Sequence, residues 1–318
     1  MATILSKEQL NLLENILTQA LDSYEVIPSI SEEEQQAKAN AELLQAYRSA
    51  KKIEGCSEKT IGYYQSTIDT LFVAVCKPVC DVTTNDIRNY LSGYQEQRKV
   101  SRVTIDNMRR IFSSFFAWLE DEDFIVKSPV RRIHRVRTES LVKEVLTDEN
   151  MEVLRDSCQE IRDIAMIDLL ASTGMRVGEL VNLNREDIDF HERQCVVFGK
   201  GNKEREVYFN ARTKIHLQNY LSSRTDDNPA LFVSLSNPHS RLSISGVEVR
   251  LRTLGRKVNI AKVHPHKFRR TLATMAIDKG MPIEQVQRLL GHVKIDTTLH
   301  YAMVNQNNVK MAHRKYIG

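Results

Sequence analysis

Apolar residues recur at helical spacing along most of the chain. In 6–24, Leu10, Leu13, Leu17 and Leu21 return every three or four residues and predict an amphipathic helix. The acidic run at 31–36 predicts the start of another. From 41 to 127 the pattern is helix after helix, over 40–55, 57–75, 83–97 and 101–125. Ser57 stands as N-cap of the second, and Thr83 or Thr84 of the third, because a hydroxyl there can accept from an otherwise unpaired backbone N–H. In the fourth, Ile105, Met108, Ile111, Phe112, Phe115 and Phe116 form an apolar side, with Arg109, Arg110, Ser113 and Ser114 mostly elsewhere. These helices predict a small all-helical domain with polar and basic faces.

Pro129 then stops the helical pattern, and neither period continues over 127–143. A second domain begins near Val145. Thr147 is the expected cap of a helix over 148–158, and Gly174 ends another over 161–173. Two strands, 196–198 and 206–209, flank GKGNKE, with Gly201-Asn202 as the turn. From 211 onward the pattern is helical again. Pro282 opens a helix over 283–290 that Gly291 ends, and Ile295, Leu299 and Met303 mark a further stripe at i, i+4, i+8. Tyr301 lies about 200° around the helix from Leu299, away from that stripe. The expected fold is mainly α, with an all-helical N-terminal domain and an α+β second domain that is mostly helical around a small antiparallel sheet. The expected division is an acidic helical extension at 1–40, a helical domain at 41–127, a basic linker at 128–146 and a second domain at 147–318.

Composition narrows the function classes. The 318 residues allow about two domains. No stretch approaches the roughly 18 continuous apolar residues of a membrane span. The N-terminus, with its early Lys7 and acidic residues, does not read as a signal peptide. Cys56, Cys76, Cys80, Cys158 and Cys195 are odd in number and scattered, which predicts reduced thiols in a cytoplasmic protein. Net charge is only +4, but residues 1–40 carry −5 (two Lys against seven Asp/Glu), so the remainder carries +9. Lys127, Arg131, Arg132, Arg135, Arg137 and Lys143 oppose the single Glu139. Such a run reads as a solvated linker or as one that also grips phosphates, and the second reading suits the basic body better.

Four stretches carry candidate chemistry. In STGMRVGEL, Arg176 opens a helix, where a purely structural cation meets the positive helix end but a phosphate-binding one is well placed. In GKGNKER, Lys200 and Lys203 sit in or beside a hairpin turn, where a lysine can grip a phosphate or donate a proton. The spacing is not that of a nucleotide-binding P-loop. In HPHKFRRTLATMA, His266 and Arg269 are three apart, so that a guanidinium and an imidazole can meet one phosphate. His264 and His266 lack a third and fourth partner for a metal. In LLGHVKIDTTLHYAMV, His292 follows the helix-ending glycine and Tyr301 lies nine residues on. Each stretch alone also fits ordinary surface or packing roles.

Together, in this order and spacing, the four resemble the tyrosine recombinases, the site-specific recombinase and phage integrase family. The similarity covers about seven-eighths of the chain, with 41–127 similar to the family's SAM-like core-binding domain and 147–318 to its catalytic domain. One departure is Arg270, where many relatives have histidine. The resemblance implies that Arg176, Lys200, His266, Arg269, His292 and Tyr301 form the active site. It implies that Tyr301 attacks a DNA phosphodiester to give a 3′-phosphotyrosine. His266 acts on the tyrosine proton, Lys200 protonates the leaving 5′-oxygen, and Glu179 buttresses Arg176. The covalent link conserves the bond energy, so no cofactor, nucleotide or metal is expected. The implied partners are double-stranded recombination sites, three further copies of the chain in a tetramer with a four-way Holliday junction, and accessory DNA-bending or excision factors, with no membrane. The tail after Tyr301 is a candidate for docking on a neighbouring copy, and Tyr316 is a rival nucleophile outside the motif spacing. The look of 280–304 leans toward integration and excision of a mobile element. The alternatives are a Xer-like chromosome-dimer resolvase, a type IB topoisomerase-like enzyme, an inactive DNA-binding regulator on the same fold, and a helical interaction protein.

Overall fold

The computed structural model describes residues 7–21, 32–137, 144–199, 204–292 and 294–302. The chain divides into two compact units, Met1–Ser140 and Leu141–Gly318. In the first, α1 (Lys7–Leu21) is the expected amphipathic helix, and its Leu12, Leu13, Ile16 and Leu17 are exposed. The acidic run does not start a separate helix. It is the first turn of α2 (Glu32–Ile53), because Glu, Gln, Ala and Lys all favour helix and neither Gly nor Pro intervenes.

Hydroxyl caps then place α3 (Glu58–Val75), α4 (Thr84–Arg98) and α5 (Arg102–Asp121). Ser57 accepts from the Thr60 N–H, and Ser101 from the Thr104 N–H. Thr83, not Thr84, caps α4. Its hydroxyl accepts from the Asp86 N–H while the Asp86 carboxylate accepts from the Thr83 N–H, so two end groups are satisfied reciprocally. The apolar side of α5 is buried as its spacing predicts, and packs on Leu44 and Tyr47 of α2, Ile68 and Leu71 of α3, and Ile87 and Leu91 of α4. Phe115 lies at its centre, edge-on to Tyr47 at 5.1 Å and stacked near Trp118 at 6.3 Å.

The segment after α5 is less free than its charge predicts. Pro129–Arg132 form a turn of 3-10 helix, Val130 is buried, and Ile133 and Val136 pack on the same core. Two carboxylates pin the main chain: Glu120 accepts from the Ser128 N–H at 2.9 Å, and Asp106 from the Val136 N–H at 3.0 Å. The apolar positions between the arginines, too sparse for either period, do the anchoring.

The second unit is built around α7 (Ile161–Thr173), which packs against α9 (Ala211–Ser222) and α11 (Pro265–Asp278). Ala165, Met166, Ile167, Leu169 and Leu170 are fully covered. Two buried carboxylates on α7 are both paired. Asp163 meets Arg162 and Arg250, while Asp168 meets Arg155 and the His216 ring. Thr147 caps α6 (Asp148–Asp156) as expected. The remaining helices are α8 (Val177–Asn182), α10 (Ile244–Lys257), α12 (Ile283–Leu290) and α13 (Asp296–Ala302).

The antiparallel sheet has three strands among the described residues, in the order β1 (Ile188–Asp189), β2 (Gln194–Phe198), β3 (Glu204–Tyr208). Two residues are too few to show a period, which is why β1 leaves no sequence signal. β2 and β3 each begin two residues earlier than their apolar alternation indicates: β2 adds Gln194 and the buried Cys195, and β3 adds the charged Glu204 and Arg205. The expected turn at Gly201-Asn202 lies outside the described residues. Cys195 and Val197 of β2 and Val207 of β3 face the core, and Val196, Phe198 and Tyr208 are exposed on the other side. No described helix is long and apolar enough to cross a membrane.

Phe115→Ala is expected to lower the stability of the first unit by about 3–5 kcal/mol, the usual cost of deleting a buried ring. Trp118, the single tryptophan, stands beside it. Urea unfolding followed by its fluorescence measures the change, and an unmoved midpoint would contradict the packing described.

Candidate active site

The site grows from three helix ends. Gly174 terminates α7 in the left-handed conformation (φ 60°), and the chain turns through buried Met175 to Arg176, the residue before α8. Two residues into α8, the Glu179 carboxylate accepts from the Arg176 backbone N–H at 2.7 Å and from its guanidinium Nη1 at 2.9 Å. Arg205 of β3 grips both oxygens of the same carboxylate, at 2.6 and 2.7 Å. Burial alone would push the Glu179 carboxyl up. The hydrogen bonds from Arg205 and the Arg176 N–H outweigh it and hold the group below its ordinary value. Glu179 is therefore a buried anion between two cations.

The carboxyl end of α12 supplies the rest of the frame. Arg205 Nε donates to the Leu289 carbonyl at 3.3 Å, Arg269 Nη2 to the Leu290 carbonyl, and Arg176 Nη2 to the Gly291 carbonyl at 3.2 Å. Three guanidiniums thus meet three successive carbonyls that the helix leaves unpaired and that carry the negative end of its dipole. Arg269, almost fully buried on α11, also donates through Nη1 to the Gly174 carbonyl at 2.8 Å, joining the ends of α7 and α12. Gly291 ends α12 with φ 63°, and a Cβ there would stand 2.9 Å from Arg205 Cδ, so any other residue adds backbone strain and requires the Arg205 side chain to shift.

Both candidate histidines adjoin this cluster. His266 is on α11, one turn before Arg269, and His264 precedes that helix. Partial burial and the charges of Arg269, Arg176 and Arg270 hold the His266 ring below its ordinary value, although much of the residue is exposed. His292 follows Gly291. Its backbone N–H donates to the Gln287 carbonyl, the Gln287 side chain donates back to the His292 carbonyl, and its ring Nδ1 lies 2.9 Å from Thr298 Oγ1. Burial, then Arg269, Arg176 and Arg205, bring its pKa down to about 4, so the ring is neutral at pH 7.

The structure therefore brings Arg176, Arg269, His266 and His292 together. Lys200 and Lys203 lie outside the described residues, in the link between β2 and β3. Tyr301 is in helix α13, and its side chain lies outside the described residues. Of the stripe expected at Ile295, Leu299 and Met303, Met303 lies outside the described residues, and Ile295 and Leu299 are exposed while Thr298 is fully buried. A hydroxyl with a ring partner goes inside where an apolar count selects leucine. Position 301 stands three after 298, the spacing of neighbours on one helix face. Pro282 precedes α12 instead of opening it.

Two contributors escaped the motif reading. Arg205 was hidden within GKGNKER. Its signal is a charge at an inward position of a strand, between exposed Glu204 and Glu206 and in step with buried Val207. Thr298 has no local signal, because its partner is set by how α13 folds back.

Residues 144–308 match the phage integrase family, and 43–125 match the phage integrase N-terminal SAM-like domain. The chain is 31% identical over 239 residues to the tyrosine recombinase XerC of Staphylococcus aureus (strain bovine RF122 / ET3-1), covering 72% of this chain and 79% of that one. It is 30% identical over 278 residues to XerC of Oceanobacillus iheyensis, covering 82% and 91%. Its fold is similar to that of the Tn1549 transposon integrase in complex with transposon right end DNA, with a TM-score of 0.72 at 20% identity over 87% of this chain and 99% of that one. It is also similar to a lambda integrase dimer bound to a COC' core site, at 0.67 and 18% over 93% and 86%.

Two changes probe this frame. Between pH 6.5 and about 4, an unfolded chain binds a proton at His292 that the folded chain refuses, so stability falls on acidification across that window. His292→Asn is expected to make the fall shallower in denaturation series at stepped pH. It does not abolish it, since His264 and His266 are also held low. An identical slope in the variant would remove His292 from the account. Gly291→Ala should cost about 1–2 kcal/mol from its left-handed backbone alone, and more if Arg205 cannot yield. A variant as stable as the parent would show that the helix end can relax.

Proposed function

The chain belongs to the phage integrase family of tyrosine recombinases, enzymes that break and rejoin DNA, and on that premise we propose that Tyr301 is the nucleophile and that the arginine cluster holds the phosphodiester it attacks. The observation that carries this reading is the gathering of Arg176, Arg269, His266 and His292 at one helix end. Arg176 and Arg269 bind the non-bridging oxygens and offset the charge that grows in the transition state. His292, neutral, donates a hydrogen bond to the same phosphate. The tyrosine oxygen bonds to phosphorus as the bond to the 5′-oxygen breaks. Its proton passes to His266, and Lys200 supplies one to the leaving oxygen. The 3′-phosphotyrosine then accepts a 5′-hydroxyl from the partner duplex, and both protons return. Exchange of two duplexes in this way needs four sites, hence a homotetramer on DNA passing through a Holliday junction.

Within this class, the relatives named XerC, one matched over 91% of its length, favour a Xer-like resolvase. The resemblance of 280–304 to integrases of phages and conjugative elements favours the integration and excision of a mobile element.

Tyr301→Phe should abolish a denaturant-resistant protein–DNA adduct on a nicked duplex while leaving specific binding intact. In the parent the adduct should survive chelator. An adduct formed by the variant would overturn the nucleophile assignment. Probes from element ends and from a single chromosomal site separate the two roles by which of them traps the enzyme.

A further inference from the structure

Thr298 is fully buried, and its Oγ1 lies 2.9 Å from His292 Nδ1. A helical threonine often gives its proton to the carbonyl four residues back. Here the His292 ring is the hydroxyl's one side-chain partner among the described residues. If Nδ1 carried a hydrogen and donated it, the hydroxyl proton would be left with no acceptor among the described residues, a costly state for a buried donor. The arrangement that strands no donor has the hydroxyl donating to a bare Nδ1. A neutral ring then carries its hydrogen on Nε2. Burial and the neighbouring Arg269, Arg176 and Arg205 keep the ring neutral, which agrees with a bare nitrogen.

We propose that Thr298 fixes His292 as the Nε2–H tautomer, so that the helix bearing Tyr301 also sets the hydrogen-bond donor offered to the phosphate. Thr298 is a positioning residue and acts through His292. Its use in cleavage rests on the reaction proposed above, whereas the tautomer it imposes does not. The consequence is a coupling within one short helix. When α13 leaves its seat, the nucleophile's backbone and the hydroxyl that orders His292 leave together, and a site without its tyrosine also loses its preferred donor form.

Ring nitrogen-15 spectra of the full chain, with the His292 signals assigned by their loss in His292→Asn, test the tautomer without DNA. The expected result is a protonated Nε2 and an unprotonated Nδ1 in the parent and in Thr298→Ser, and a mixture in Thr298→Val. A parent ring with its hydrogen on Nδ1 overturns the proposal whether or not Thr298→Val folds. Single-turnover cleavage of a nicked duplex tests the consequence. Thr298→Val should cleave about tenfold more slowly with DNA affinity within about twofold, and Thr298→Ser should recover most of the rate. A Thr298→Val enzyme with the parent tautomer and rate also overturns it. Failure of the parent to form any adduct would instead overturn the proposed reaction, with the tautomer still decided by the spectra.

Discussion

Three positive guanidiniums on three consecutive carbonyls at the end of α12 are the arrangement on which the rest of the second unit depends. Like charges at this spacing repel, and the repulsion is severe where water is scarce. Two offsets make the cluster tolerable. One is the single buried carboxylate of Glu179, shared between Arg176 and Arg205. The other is the partial negative charge of a helix end whose carbonyls have no partner of their own. Neither offset is complete, so the cluster keeps an excess of positive charge, the state that favours an anion arriving from solution.

The same excess governs the histidines. A ring beside arginines does not readily take a further positive charge, and burial with Arg269 and Arg176 holds both rings toward neutrality, joined by Arg270 at His266 and by Arg205 at His292. Neutral imidazoles can accept or donate a proton without adding to the repulsion. The division of labour follows from position: arginines supply charge and histidines supply directed hydrogen bonds.

Much of this was legible in the chain. The helices of the first unit follow from apolar spacing and hydroxyl caps such as Ser57 and Thr83, and α6 of the second from Thr147, because both signals are local. Gly174 and Gly291 were readable as helix ends for the same reason. The elements that were not readable depend on distant partners. β1 exists only through its pairing with β2, and Arg205 looks like one more hairpin charge until Glu179 is placed opposite it. The α13 stripe misled because hydrophobicity marked Leu299, while burial went to Thr298, whose polarity is satisfied by a ring six residues earlier. The anchoring of 128–137 was masked by charge, although Val130, Ile133 and Val136 hold it to the helical core.

The carbonyls of Leu289, Leu290 and Gly291 belong to the main chain, so apart from Glu179 this scaffold has no side chain to delete. Alanine scanning across α12 would register the packing of Leu290 and the backbone demand of Gly291, and pass over the acceptors themselves. Such a frame leaves little trace in side-chain identity. It tolerates drift at 289, constrains 291, and becomes visible to chemistry only when an amide is replaced by an ester, whose carbonyl is a poorer acceptor. The placing of the three guanidiniums is in that sense inherited from the peptide backbone.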